Sequence, residues 1–271
     1  MPVFNGAAHI AEAIRAIQGQ TMEDWELIIV DDASTDTTSL VVAEFLDDDR
    51  ISYFRLPNNS GSGYARNLAL RKSGAPFIAP VDADDISLPQ RFQLELRAFE
   101  EEPELVAVSG QMLWFNSDWR PAEKRTHFST SCAEVAAGFA RGRMSFSHPA
   151  CMYRKDAALL VGGYDEACRR SQDLALFLKL ADRPMRSLDA TLIRYRSSKR
   201  PSFQYIYNND RYGFVARQRN VIGGTLANVS SEPPRGPRGM LIAIIAVIKW
   251  LRVTAGLNPR ARRTRSILRF H

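Results

Sequence analysis

The 271-residue chain is poor in cysteine and has no long apolar run. Its three cysteines, Cys132, Cys151 and Cys168, are an odd number without Cys-x-x-Cys spacing. That argues against a disulfide framework and a structural zinc site, and fits a reducing compartment with the thiols as small packed side chains. The longest apolar stretch, Met240 to Ile248, is nine residues, well short of the roughly twenty that span a bilayer. MPVFNGAAHI has neither a basic n-region nor a long apolar h-region, so no signal peptide is expected there. A basic main body is absent too. The net charge is +6, but the segment from Glu232 onward holds nine Lys or Arg and one acid. Residues 1–231 carry 27 basic and 29 acidic side chains, so nucleic acid is not an expected partner of the body.

What is present is an ordinary globular composition, 45% hydrophobic and 24% charged, enough for one large domain or two modest ones. Ile10, Ile14 and Ile17 recur at helical spacing, and LIIV (residues 27–30) reads as a buried strand running into an acidic turn. A helix is expected over TDTTSLVVAEFL with Ser34 or Asp36 as its cap. ISYFRL predicts a strand, and GYARNLALRKSG a helix closed by Gly74. PFIAPV predicts a strand, followed by a helix over LPQRFQLELRAFEEEP that starts at Ser87 and Pro89. This alternation predicts a parallel α/β sheet with helices on both faces. Beyond it, VAVSGQMLWF, HPACMYR and SLDATLIRYR read as strands, and SQDLALFLKLAD as a helix. SSEPPRGPRG, residues 230–239, reads as a linker.

Ligands of such sheets bind at the carboxyl ends of the strands. Asp31-Asp32 and Asp82-Asp84-Asp85 both fall there. Each is either an acidic loop or part of one binding edge. Alternate residues of an extended segment point the same way, so Asp82 and Asp84 face one ligand together. Carboxylate oxygens suit Mg²⁺ or Mn²⁺, and such ions complete their shell with water and phosphate oxygens. A pair of acids therefore fits a metal carried in with a nucleotide diphosphate better than a permanent cage.

MPVFN, VDDASTD, NNSGSGYARNLAL, PVDADDISLP, GGYDE and SQDLALFLKL, in that order over about residues 1–200, resemble the family 2 glycosyltransferases. The resemblance implies a GT-A (Rossmann-like) fold, a mostly parallel sheet flanked by helices. It implies metal-dependent transfer of a sugar, with inversion, from a nucleotide diphosphate sugar to an acceptor hydroxyl. Pro2, Phe4, Asn5 and Asp32 would line the nucleoside pocket, with a uridine preference, and Asp31 would support that turn. Arg66 would contact the nucleotide side and Asp82 the ribose or the metal's outer shell. Asp84 would ligate Mn²⁺ or Mg²⁺, with Asp85 a neighbour or a helix cap. Asp173 would be the general base; alone, it also reads as a first-turn acid favoured by the helix dipole. His148, Trp114, Trp119, Arg194 and Arg196 each have an acceptor-side or phosphate-side reading beside a structural one.

Two departures stand out. Gln172 occupies a position where many relatives carry Glu, and the first strand is almost absent before Pro2. Restoring about five to ten upstream residues, at ~3.3 Å each, is expected to raise thermal stability. The implied domains are 1–200 for the transferase, 201–229 for a helical extension, 230–239 for the linker and 240–271 for an apolar then basic tail. That tail reads either as an interfacial helix on anionic lipid, placing the protein at the cytoplasmic face of a membrane, or as a packed terminal helix. The expected acceptor is a glycan or lipid-linked glycan of surface polysaccharide or glycolipid synthesis. The competing classes are a sugar-phosphate nucleotidyltransferase and an inactive sugar-nucleotide-binding or scaffold protein.

Overall fold

The structure, a computed structural model, describes residues 1–115, 124–196, 202–221 and 236–254. Trp119, most of the 230–239 linker and the basic end of the tail lie outside them.

The first sheet has the order β1-β2-β3, formed by Pro2–Val3, Leu27–Asp31 and Ile51–Arg55. Both of its pairings are parallel, with Pro2 opposite Val30 and Leu27 opposite Ile51. β2 is buried at every position, as a strand covered on both faces must be. Helix α1 (Ile10–Gln18) connects β1 to β2 and buries Ile10, Ala13, Ile14 and Ile17 on one stripe. Each fully buried Ile contributes about 1.5–3 kcal/mol by leaving water. Helix α2 (Thr38–Ala43) connects β2 to β3. Its cap position is Thr37. Asp36 accepts from the Thr38 amide and hydroxyl, whereas Ser34 receives the Asn5 amide instead.

Helix α3 (Ser62–Lys72) has Gly74 just past its cap residue, as expected, but without the left-handed turn such a glycine usually makes. The residue after the helix, Ser73, is extended, and one oxygen of Glu26 accepts from the Ser73 hydroxyl and the Gly74 and Ala75 amides at 2.8, 2.7 and 3.0 Å. A carboxylate from a distant loop thus does the work assigned to a left-handed glycine. The predicted PFIAPV strand narrows to β4 (Phe77–Ile78), and Ser87 lies in β5 (Ile86–Ser87) rather than starting helix α4 (Arg91–Glu101).

β6 (Ala107–Phe115), β7 (Cys151–Arg154) and β8 (Met185–Arg196) complete a second sheet of order β4-β7-β6-β8-β5. Only β6 and β8 pair in parallel there; the other three pairings are antiparallel. The parallel architecture therefore holds in the first sheet and becomes mixed in the second. A cavity of about 540 Å³, lined by Met1, Glu26–Ile28 and Ala79–Val81 among others, lies between the first sheet and β4. Helices α5 (Cys132–Ala140), α6 (Lys155–Leu160) and α7 (Gln172–Lys179) cover the second sheet. There Phe139, Phe146 and Phe177 form an aromatic cluster with ring centroids 4.5–6.2 Å apart. Helices α8 (Phe203–Val221) and α9 (Gly236–Thr254) follow, α8 packing on α7 and α9 on α8. All three cysteines are free thiols.

Candidate active site

One cleft of about 640 Å³ opens where β1, β2 and the β4–β5 connection end. It is lined by seven of the nine residues expected from the sequence to serve the nucleotide, the metal or the base: Pro2, Phe4, Asn5, Asp32, Arg66, Asp82 and Asp84. The two others, Asp31 and Asp173, are not among its lining residues.

Asp31 lies behind the wall, fully buried. One of its oxygens accepts the Ser34 amide at 2.7 Å and the other the Tyr53 hydroxyl at 2.6 Å. That bond and burial push the tyrosine up to about 12, burial being the larger cause. Asp31 is the brace of the turn. Asp32 clasps the opposite loop, its two oxygens accepting the Ser60 and Gly61 amides at 2.6 and 2.8 Å. Gly61 takes φ +92° to present that amide, a conformation that only glycine adopts without strain. A carboxylate has about four lone-pair sites, so Asp32 retains capacity toward a ligand. Asn5, at φ +54°, spends its side-chain oxygen on the Thr35 and Asp36 amides at 2.7 and 3.3 Å. Phe4 stands 49% exposed at the rim.

The crowded acids at 82–85 have three different environments. Asp82 pairs with Arg66 at 2.7 Å. Burial alone would raise its pKa, and the guanidinium overrides that and holds it below the usual range. Nε and Nη1 of Arg66 are buried without a partner among the described residues. Asp85 accepts the Arg196 amide at 2.9 Å through one oxygen, and its other oxygen is buried and unpartnered. Burial, then the charges of Asp82 and Asp84, push its pKa well above normal. It is a strand tie, not a helix cap.

Asp84 is exposed in the cleft, and its carboxylate receives no side-chain hydrogen bond or ion pair among the described residues. Partial desolvation by the cleft and the neighbouring Asp82 charge raise its pKa. Such a group gains from a cation. Among the described residues no three His, Cys, Asp or Glu side chains converge as a metal cage. The donor set therefore fits a hard divalent ion that brings further oxygen ligands with it.

Asp173 sits in the first turn of α7 and accepts the Leu174 amide at 2.8 Å. Its charge is felt by Arg66 and His148. Ser171, at φ +57°, turns the chain into that helix. Gln172 donates to the Ser62 hydroxyl at 2.8 Å, joining the starts of α7 and α3.

His148 is 4% exposed. Its Nε2 lies 2.9 Å from the Tyr164 hydroxyl, which is 3.0 Å from that of Tyr153. Burial, reinforced by Arg66, lowers its pKa to about 4, so it is a neutral core histidine at pH 7. Trp114 packs edge-on against Tyr195 with centroids 4.7 Å apart. Arg194 lies over the Phe115 ring at 4.6 Å. Arg196 is committed to Glu12 and to the Asp84 carbonyl.

Some contributors carried no sequence signal. Arg91, 1% exposed on α4, donates to the Pro80 and Cys151 carbonyls at 3.0 and 2.9 Å and to the Ser87 hydroxyl at 3.0 Å. It thereby anchors the strand that delivers the acids. Arg169 and Arg170 line the cleft as well, and there a signal existed: a basic pair three and four residues before Asp173.

Residues 1–160 match the sequence model of the family described as Glycosyl transferase family 2. The putative glycosyltransferase EpsE of Bacillus subtilis (strain 168) is 29% identical over 219 residues, 77% of each chain. The amylovoran biosynthesis glycosyltransferase AmsE of Erwinia amylovora is 25% identical over 80% of this chain and 85% of its own. An uncharacterized glycosyltransferase of Haemophilus influenzae is 28% identical, and this chain spans 63% of it. Among solved structures, S. aureus TarS 1–349 in complex with UDP superposes with a TM-score of 0.59 at 20% identity, over 79% of this chain and 63% of that one. The mannosyltransferase PcManGT from Pyrobaculum calidifontis, in complex with GDP-Man and Mn²⁺, gives 0.61 at 16% identity, over 97% and 76%. At such identities the likeness speaks to the fold, that of the GT-A glycosyltransferases. The matched segment carries both acidic turns and the Arg66 helix, and the chain belongs to glycosyl transferase family 2.

Proposed function

We propose that the protein transfers a sugar from a nucleoside diphosphate sugar to an acceptor hydroxyl, with inversion, in the assembly of a surface polysaccharide or glycolipid. The observation that carries this reading is one cleft that unites Asp32 at the end of β2, Arg66 on α3, and Asp82 and Asp84 in the β4–β5 connection. Names of relatives that include amylovoran biosynthesis support it.

Asp32 and Asn5 hold the nucleoside, with UDP the preferred carrier, and Arg66 contacts the nucleotide side. Asp84, with Asp82 behind it, would hold Mn²⁺ or Mg²⁺. Such an ion supplies Lewis-acid stabilisation of the departing diphosphate. Inversion requires a base on the face opposite the leaving group, and Asp173 takes that role, receiving the acceptor's proton.

The acceptor is a glycan or lipid-linked glycan met at a membrane surface. On α9, seven apolar side chains between Met240 and Leu251 are 40–66% exposed. At 100° per residue they cover an arc of roughly 160°, while Ile242 and Ala246 are buried. Residues 240–271 hold seven Lys or Arg and no acid, which suits contact with anionic headgroups. No helix among the described residues is long and apolar enough to cross a membrane.

Titration calorimetry of UDP and GDP, with and without Mn²⁺, tests the donor site. Metal-dependent UDP binding that Asp84→Ala abolishes is the expected result. Binding of neither nucleotide would remove the basis for the reading.

A further inference from the structure

The cleft has a positive wall that the acidic motifs do not account for. The segment from Asp165 to Ser171 leads into α7, and its Arg169 and Arg170 line the same cavity as Asp82 and Asp84. The segment is held at both ends. Cys168 is 1% exposed, Asp165 pairs with Arg219 of α8 at 3.2 Å, and the Ser171 hydroxyl donates to the Asn209 carbonyl at 3.2 Å. The Arg170 guanidinium lies over the Tyr205 ring of α8, 4.5 Å from its centroid.

Charge accounting then separates these two cations from the others nearby. Arg66 is matched by Asp82, and Arg196 by Glu12. Neither Arg169 nor Arg170 forms an ion pair among the described residues. Among the described residues the Asp84 carboxylate has no ion-pair partner, and the two guanidiniums that line the cleft with it have none either. A ligand that satisfies both is anionic and carries a hard cation with it.

We propose that Arg169 and Arg170 bind the diphosphate of the donor and hold it as it departs, with Tyr205 as the residue that positions Arg170. This rests on the sugar-transfer reading above. In the step itself the bond between the anomeric carbon and the terminal phosphate oxygen breaks, and its electron pair stays on that oxygen. The acceptor oxygen forms the new bond to the anomeric carbon and gives its proton to Asp173. The diphosphate thus gains one negative charge, and planar guanidiniums suit phosphate oxygens through paired N–H donors.

The test is titration of UDP and of uridine, with Mn²⁺, into the full chain as wild type, as the Arg169→Gln/Arg170→Gln double variant, and as Tyr205→Ala and Tyr205→Phe. The double variant should weaken UDP by about tenfold to a hundredfold, the range for hydrogen bonds to charged groups, and leave uridine unchanged. Tyr205→Ala should weaken UDP by a smaller factor, and Tyr205→Phe, which keeps the ring, should restore it. Unchanged UDP affinity in the double variant, or equal losses for UDP and uridine, overturns the proposal while the donor site stands. A wild type that binds neither ligand overturns the donor reading as well.

Discussion

At the scale of single residues, the DADD segment shows how little identical side chains share once folded. Asp82 is paired with Arg66, Asp84 stands exposed in the cleft, and Asp85 ties β8 through one oxygen. Two substitutions separate these states. Asp85→Asn replaces a carboxyl that burial already disfavours as an anion and keeps an acceptor for the Arg196 amide, so stability should change by less than about 0.5 kcal/mol. Asp82→Asn leaves the Arg66 charge without its partner. With the Asp82 side chain 27% exposed, the loss should fall below the range for fully buried pairs, at about 2 kcal/mol. Urea denaturation of both variants decides; equal losses would refute the distinction. The sequence spacing located all three acids but ranked them only through family resemblance. Their difference comes from Arg66, sixteen residues away, and Arg196, more than a hundred away.

At the scale of elements, α4 carries a buried pair that no pattern announces. Arg91 and Glu95 are one turn apart, with Nε and Oε2 at 3.3 Å, and both are essentially inaccessible. Burial raises Glu95 from 4.5 to about 7 against the opposing pull of Arg91. A raised acid binds its proton more tightly in the folded state. Its contribution to stability is therefore complete below pH 4.5 and is lost as pH rises through 7. Glu95→Gln should flatten the fall in stability between pH 5 and pH 8 by on the order of 3 kcal/mol. Denaturation at both pH values checks this, and an unchanged difference between them would count against it. The apolar stripe of α1 and the run of β2 were legible because their periods encode their burial. Helix ends were less so: the Glu26 carboxylate, not a left-handed glycine, finishes α3, and the contact joins residues 47–49 apart in sequence.

At the scale of the whole molecule, the alternation of strand and helix revealed the parallel first sheet and the edge that collects the acids. The second sheet was not legible, because β6 pairs with β8 and β7 across long separations, and nothing in a strand's own pattern names its neighbour. The charge asymmetry of the chain was visible at once, and the described part of the tail adds an exposed apolar face on α9. The full chain should co-sediment with vesicles of anionic phospholipid at low salt and be released as salt rises. Ile244→Asp with Ile248→Asp should abolish that binding. Vesicle-independent self-association lost in the same variant would instead identify a second copy as the occupant of the face.

The Asp32 clasp on Ser60 and Gly61 has a consequence for time rather than affinity. On the sugar-transfer reading, a wall held together by the protein's own hydrogen bonds has no loop to order when a nucleotide arrives. Association is then governed by encounter rather than by rearrangement, and differences in affinity among donors are expressed in their residence times.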